Sequence, residues 1–66
     1  MEDYLQRMYV ERDELDVKID KLISFTKLDT YYEVVSPERR DLLSEQLSVM
    51  KIYSKILTKR ILIEEK

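Results

Sequence analysis

The chain carries one strong stop-and-start signal, Ser36–Pro37, and no glycine anywhere in its 66 residues. Ser36 suits a helix N-cap and Pro37 the first helical position, where a missing N–H costs nothing. Glu38 and Asp41 follow where negative charge favours the free N–H groups of a first turn. Without glycine there is no material for tight β-hairpin turns or for a loop that cradles phosphate. These features predict an all-α fold: a two-helix antiparallel hairpin in a single domain over residues 1–66. The first helix is expected over about 2–25, the connection over 26–36 and the second helix over about 37–63.

Apolar spacing agrees. In the first helix Met1, Leu5, Met8, Leu15, Ile19 and Leu22 fall on one stripe, which Arg12 interrupts. In the second, Leu43, Leu47, Met50, Leu57 and Ile61 follow the four-three spacing of a packed seam. Pairs such as Glu14–Lys18, and the like-charged Asp16–Asp20, are read as a solvated outer face. The connection holds Leu28, Tyr31, Tyr32, Val34 and Val35. It is expected to pack as a loop over one end of the hairpin, a short strand being the alternative, and Tyr31 and Tyr32 are read either as packing or as a pair that stacks bases.

Both stripes are broader than one hairpin needs. Leu42, Val49, Ile52, Ile56, Leu62 and Ile63 lie beyond the main seam of the second helix. At ~25 cal/mol per Å² of apolar area, leaving them wet forfeits several kcal/mol, and exposed apolar surface of this extent marks an interface. A chain this short also needs help to be stable. With no cysteine or histidine, disulfides and the commonest metal ligands are excluded. Self-association remains. Two hairpins can pair as a four-helix bundle, and two such dimers as a tetramer, which is the favoured homo-oligomer.

The same absences argue against an enzyme, which would need carboxylates, Lys or Tyr held at shifted pKa in a dry pocket. Carboxylate pairs such as Glu11 with Glu14 lack a loop that would gather the oxygen ligands of a hard cation, so neither metal nor cofactor is expected. No apolar run reaches membrane-span length, and the opening MEDYLQRM is unlike a signal peptide. The net charge of −2 disfavours tracking along DNA or RNA polymers. Charge is uneven, however. Residues 1–25 carry four positive and seven negative groups, while residues 37–63 carry six positive and three negative.

A polar register borders the seams. Arg39, Gln46, Tyr53 and Arg60 recur every seven residues on the second helix. Tyr4, Glu11, Lys18 and Phe25 do so on the first, with Arg7 one turn from Tyr4 and Glu11. Such groups could pair across subunits and fix register. They also form the set that a flat anionic ligand requires. Arg and Lys hold phosphate, Tyr stacks a base, and Gln donates to and accepts from a purine edge. A dimer axis would present each group twice, matching the near two-fold symmetry of a cyclic dinucleotide.

The stretches YLQRMYVERDELDVKIDKLISF and LLSEQLSVMKIYSKIL, the second followed by Arg60–Ile61, resemble a family of small phage helical-hairpin proteins. The matching positions include Arg7, Glu11, Leu15, Lys18, Ile19 and Phe25, then Leu43, Gln46, Met50, Tyr53, Leu57 and Arg60. They cover about three quarters of the chain. The resemblance extends to phage anti-CBASS proteins that act as sponges for the cyclic nucleotide messengers of bacterial immunity. It implies an oligomeric, non-catalytic binder of ligands such as 3′3′-cyclic GMP–AMP, acting in the cytoplasm of the infected bacterial host. The ligand-binding residues expected are Tyr4, Arg7, Glu11, Lys18, Arg39, Gln46, Tyr53 and Arg60. Two other readings stand beside it: a helical protein–protein interaction module that inhibits or adapts a host or phage protein, and a structural or regulatory phage protein.

Overall fold

A computed structural model describes residues 2–66, with side chains from Asp3 onward. Met1, placed on the first stripe by sequence, lies outside the described residues. Three helices follow one another: α1 (Glu2–Thr26), α2 (Tyr31–Val34) and α3 (Pro37–Glu64). Among the described residues there is no strand. The long helices α1 and α3 pack side by side, giving a rod of 47 × 15 × 13 Å. Arg60 hydrogen-bonds Tyr4, while Ser54, earlier in α3, hydrogen-bonds Asp16, later in α1, so the packing is antiparallel.

The seams form as the spacing predicts. Leu57 is 0% exposed, with Ile61, Met8 and Ile19 also buried. Leu43, Leu47 and Met50 continue the α3 seam half-buried, as do Leu5, Leu15 and Leu22 in α1. The gap in the apolar spacing at Ser54 is filled by a polar contact: its hydroxyl donates to the Asp16 carboxylate at 2.6 Å. Asp16 is therefore half-buried between the helices rather than part of the solvated face. Glu14 and Lys18 form no ion pair among the described residues, where the one ion pair is Arg12–Asp13 at 3.5 Å.

The connection is packed, but through a turn of helix that its spacing does not announce. With no residue at positive φ among those described, α1 ends in tight right-handed turns, Lys27 N–H to Ser24 and Leu28 N–H to Phe25. Tyr31 and Val35, at either end of α2, tuck under the hairpin. The Tyr31 ring meets Phe25 edge-on at 5.4 Å between centroids. Arg40 ties the turn down. Its guanidinium donates to the carbonyls of Val35 at 2.8 Å and Tyr32 at 3.2 Å, and lies 4.6 Å from the centre of the Tyr32 ring. It thus satisfies carbonyls at the end of α2 that lack helical partners. Ser36 caps α3 as expected, accepting from the Arg39 N–H at 3.4 Å.

One feature of the hairpin remains open to solvent. Leu42, Val49, Ile52, Ile56, Leu62 and Ile63 are each between 48 and 67% exposed on the outer side of α3.

Candidate functional site: two polar rungs across the hairpin

In an antiparallel pair, two stripes with a seven-residue repeat stay in step along their whole length. Here the residue numbers of each pair add to 64: Tyr4 with Arg60, and Glu11 with Tyr53. The Arg60 guanidinium donates to the Tyr4 hydroxyl at 2.6 Å. The Tyr53 hydroxyl donates to the Glu11 carboxylate. The polar register is thus satisfied first within one hairpin.

The other expected site residues divide. Arg39 stands at the end of the same progression, level with Phe25, which is not an expected site residue, and the two share the wall of an open cleft of about 310 Å³ with Val35, Leu42 and Leu43. Lys18 and Gln46 occupy matching levels without a hydrogen bond between them among the described residues. Lys18 lines a groove on α1 with Asp13, Glu14, Val17 and Lys21, and the Gln46 amide approaches the Met50 sulfur at 3.8 Å. Arg7 turns back along its own helix, its Nε donating to the Asp3 carbonyl at 3.4 Å.

The two rungs differ in electrostatics. Arg60 is held by a neutral phenol, and among the described residues no carboxylate lies within ion-pair distance of it. Among the described residues its charge is therefore not neutralised by a carboxylate. In the other rung the Glu11 charge is engaged by a phenol. Hydrogen bonding to Glu11 raises the Tyr53 pKa above its ordinary value of 10.0; slight desolvation and the Glu11 charge add to the rise, and nearby Arg60 opposes it. A group whose pKa is raised in the folded state adds stability that is fully present below its unfolded pKa and is lost as pH rises through the folded value. The Tyr53–Glu11 bond should therefore contribute evenly through neutral pH and fade only above pH ~10. Denaturant melts of the chain and of Tyr53→Phe should run parallel from pH 7 to 9. The difference between them should shrink above pH 10; a difference that grows there would contradict the rung.

A second aromatic cleft, of about 390 Å³, lies beside the connection and is lined by Tyr31, Tyr32, Arg40 and Asp41 among others. Tyr31 is only 5% exposed, so its ring is packing rather than a platform for a base. Tyr32 is 72% exposed, but Arg40 lies against it and is itself tied to two carbonyls. Neither Arg40 nor the Ser54–Asp16 contact was marked by the heptad pattern. The one available signal was that Ser54 sits on the apolar seam.

A model of one protein family, Sequestin, matches residues 2–63, spanning both long helices and the turn between them. The chain belongs to the Sequestin family. The resemblance drawn from the two helix patterns is therefore matched by a family that covers both. No curated protein and no solved structure matches this Sequestin chain. No helix in the described residues is long and apolar enough to cross a membrane.

Proposed function

We propose that the chain sequesters a small nucleotide messenger, specifically a cyclic dinucleotide such as 3′3′-cyclic GMP–AMP, and holds it without cleaving it. The observation that carries this reading is the Tyr4–Arg60 rung beside Tyr53: a surface guanidinium retained by a neutral partner, next to two phenols. A phosphate can take the guanidinium's donors without breaking an ion pair, and a purine can lie on a phenol ring. Arg60 and Arg7 hold phosphates, with Lys18 as a further cation; Arg39, ~31 Å along α3 from Arg60, can hold a phosphate only at a separate site beside Phe25. Tyr4 and Tyr53 stack purines, and Gln46 and Glu11 read base edges or orient the cations. The family's name, with its sense of sequestration, supports the same reading.

The protein works as a homo-oligomer, a tetramer of paired hairpins, in the cytoplasm of a phage-infected bacterium. It acts by mass action, lowering free messenger below the level that activates a CBASS effector. Titration calorimetry with 3′3′-cyclic GMP–AMP should give submicromolar binding. Heat release of the bound nucleotide should then return it intact. Recovery of a linear product would overturn sequestration in favour of an enzyme. No binding to this nucleotide or to a panel of related messengers would return Gln46, Tyr53 and Arg60 to a purely structural role.

The exposed apolar side of α3 supports a second reading, an interaction module for a host or phage protein. A tight one-to-one complex with such a protein, unaffected by nucleotide, would favour it.

A further inference from the structure

We infer that the outer face of α3 packs antiparallel against the same face of a second copy, and that this contact brings two polar stripes together into one shared cleft. Five of the six exposed apolar residues share one face, Leu62 alone lying off it. Leu42, Val49, Ile56 and Ile63 repeat every seven residues, and Ile52 sits three beyond Val49, so they form a second heptad seam. The four repeating positions are spaced evenly to either side of Ile52–Tyr53. A two-fold axis at that point lays the face onto itself, as an interface between identical surfaces requires.

Charge selects the second copy and its direction. The row that contains Ile52 continues as Glu45 on one side and Lys59 on the other, each seven residues away. Antiparallel packing about Ile52 sets Glu45 near the partner's Lys59 at both ends. Parallel packing would set Glu45 against the partner's Glu45 and Lys59 against the partner's Lys59, which is repulsive.

The same geometry places the polar stripe. Arg39, Gln46, Tyr53 and Arg60 each follow that row by one position. In an antiparallel pair, this edge of one helix runs along the same edge of its partner. Tyr53 then meets the partner's Tyr53 at the axis, and Arg60 comes level with the partner's Gln46. At 3.6 residues per turn, the hairpin seam and the outer seam are ~140° apart around α3 on the Tyr53 side. The paired hairpins are therefore concave on that side, and the Tyr4–Arg60 and Glu11–Tyr53 rungs of both copies line the trough. One hairpin alone holds half of it. Ligand binding by this trough rests on the nucleotide reading above; the seam does not.

Cross-linking decides the seam. The chain has no cysteine, so single cysteines report cleanly. Leu42 and Ile63 are about 31 Å apart along α3. In the antiparallel pair Leu42→Cys chains stand equally far from each other, as do Ile63→Cys chains, whereas a mixture brings residue 42 of one against residue 63 of the other. A short bis-maleimide should therefore join the mixture and neither variant alone. Leu42→Cys linking to itself, or no linkage in the mixture, would overturn the inference. Sedimentation equilibrium gives an independent check. Glu45→Lys or Lys59→Glu alone should weaken dimerisation roughly 3- to 10-fold, and the double variant should restore it. No loss from either single change would overturn the antiparallel arrangement.

The shared cleft has its own test. Ile52→Glu should give a monomer without disturbing the hairpin seam, because Ile52 is exposed within one hairpin, and it is compared with the unaltered chain at a temperature where circular dichroism shows both to be helical. Its affinity for 3′3′-cyclic GMP–AMP should fall at least tenfold from that of the unaltered chain. An Ile52→Glu monomer that binds as well would overturn the shared cleft while leaving the seam to the cross-links. Failure of the unaltered chain to bind any nucleotide would overturn the nucleotide reading instead.

Discussion

Leu57→Ala is expected to leave much of the chain unfolded at room temperature. Leu57 is the one core side chain with no exposure at all, and it lies where the two long helices meet. Truncating a buried leucine costs about 2–5 kcal/mol, from lost transfer free energy and from the cavity left behind. A domain of this size draws no more than ~3–5 kcal/mol from a single core. One substitution therefore removes most of what holds the hairpin together. Circular dichroism melts should show a broad, early transition or none. Val17→Ala, on the exposed side of α1, should change stability by no more than ~0.5 kcal/mol and provides the control. If Leu57→Ala kept the original midpoint, stability would reside outside the hairpin seam, with the outer face of α3 as the place to look.

What could be read from the sequence follows from what repeats in it. The long helices are legible because nothing but Ser36–Pro37 interrupts them, and the seam residues because burial recurs with the helical period. The rungs are legible in principle, since two seven-residue repeats on antiparallel helices must stay in step. Which stripe would meet which could not be read, because periodicity fixes a residue's face and not the offset between helices. The α2 turn was hidden for another reason. It depends on Arg40 reaching back five and eight residues to carbonyls, a contact with no periodic signature. Charge alone points Asp16 to solvent, whereas the structure sets it half-buried between the helices. Its partner Ser54 occupies a seam position, and a small hydroxyl there reads as a gap rather than as a donor.

That hidden contact also bears on function. Ser54–Asp16 and the two outer rungs together give the hairpin three polar ties across its helices. The part-buried Ser54–Asp16 bond satisfies groups that water reaches poorly, so it holds register even if ligand engages the outer rungs. A chain with only Tyr53–Glu11 and Tyr4–Arg60 would have to choose between register and ligand. With Ser54–Asp16 beneath them, Arg60 and Tyr53 can exchange partners while the helices stay in step. Ser54→Ala should accordingly destabilise the hairpin by about 1–3 kcal/mol in urea melts, since it strands Asp16. A change below the error of the melt would count against this division of labour.

Arg60→Ala should abolish most of the proposed nucleotide affinity while leaving the fold intact. Hydrogen bonds to charged groups contribute about 1.5–3 kcal/mol, so affinity should fall roughly 10- to 150-fold. Stability should move by less than ~1 kcal/mol, since Arg60 is exposed and its partner is a neutral phenol that water can serve equally well. Arg60→Lys separates charge from shape. It keeps the positive charge but loses the planar fork, and should recover only part of the affinity. Tyr4→Phe makes the opposite change, removing the guanidinium's resting partner while keeping the ring. If Tyr4 serves to hold Arg60 until phosphate arrives, affinity should stay within a few-fold of the original. If the Tyr4 hydroxyl itself binds ligand, affinity should fall with it. Calorimetry on the three variants, with a melt of each, distinguishes the roles. Arg60→Ala that binds as tightly as the original chain but melts several degrees earlier would make the rung a structural tie, and the phosphate site would have to be sought at Arg7 or Arg39.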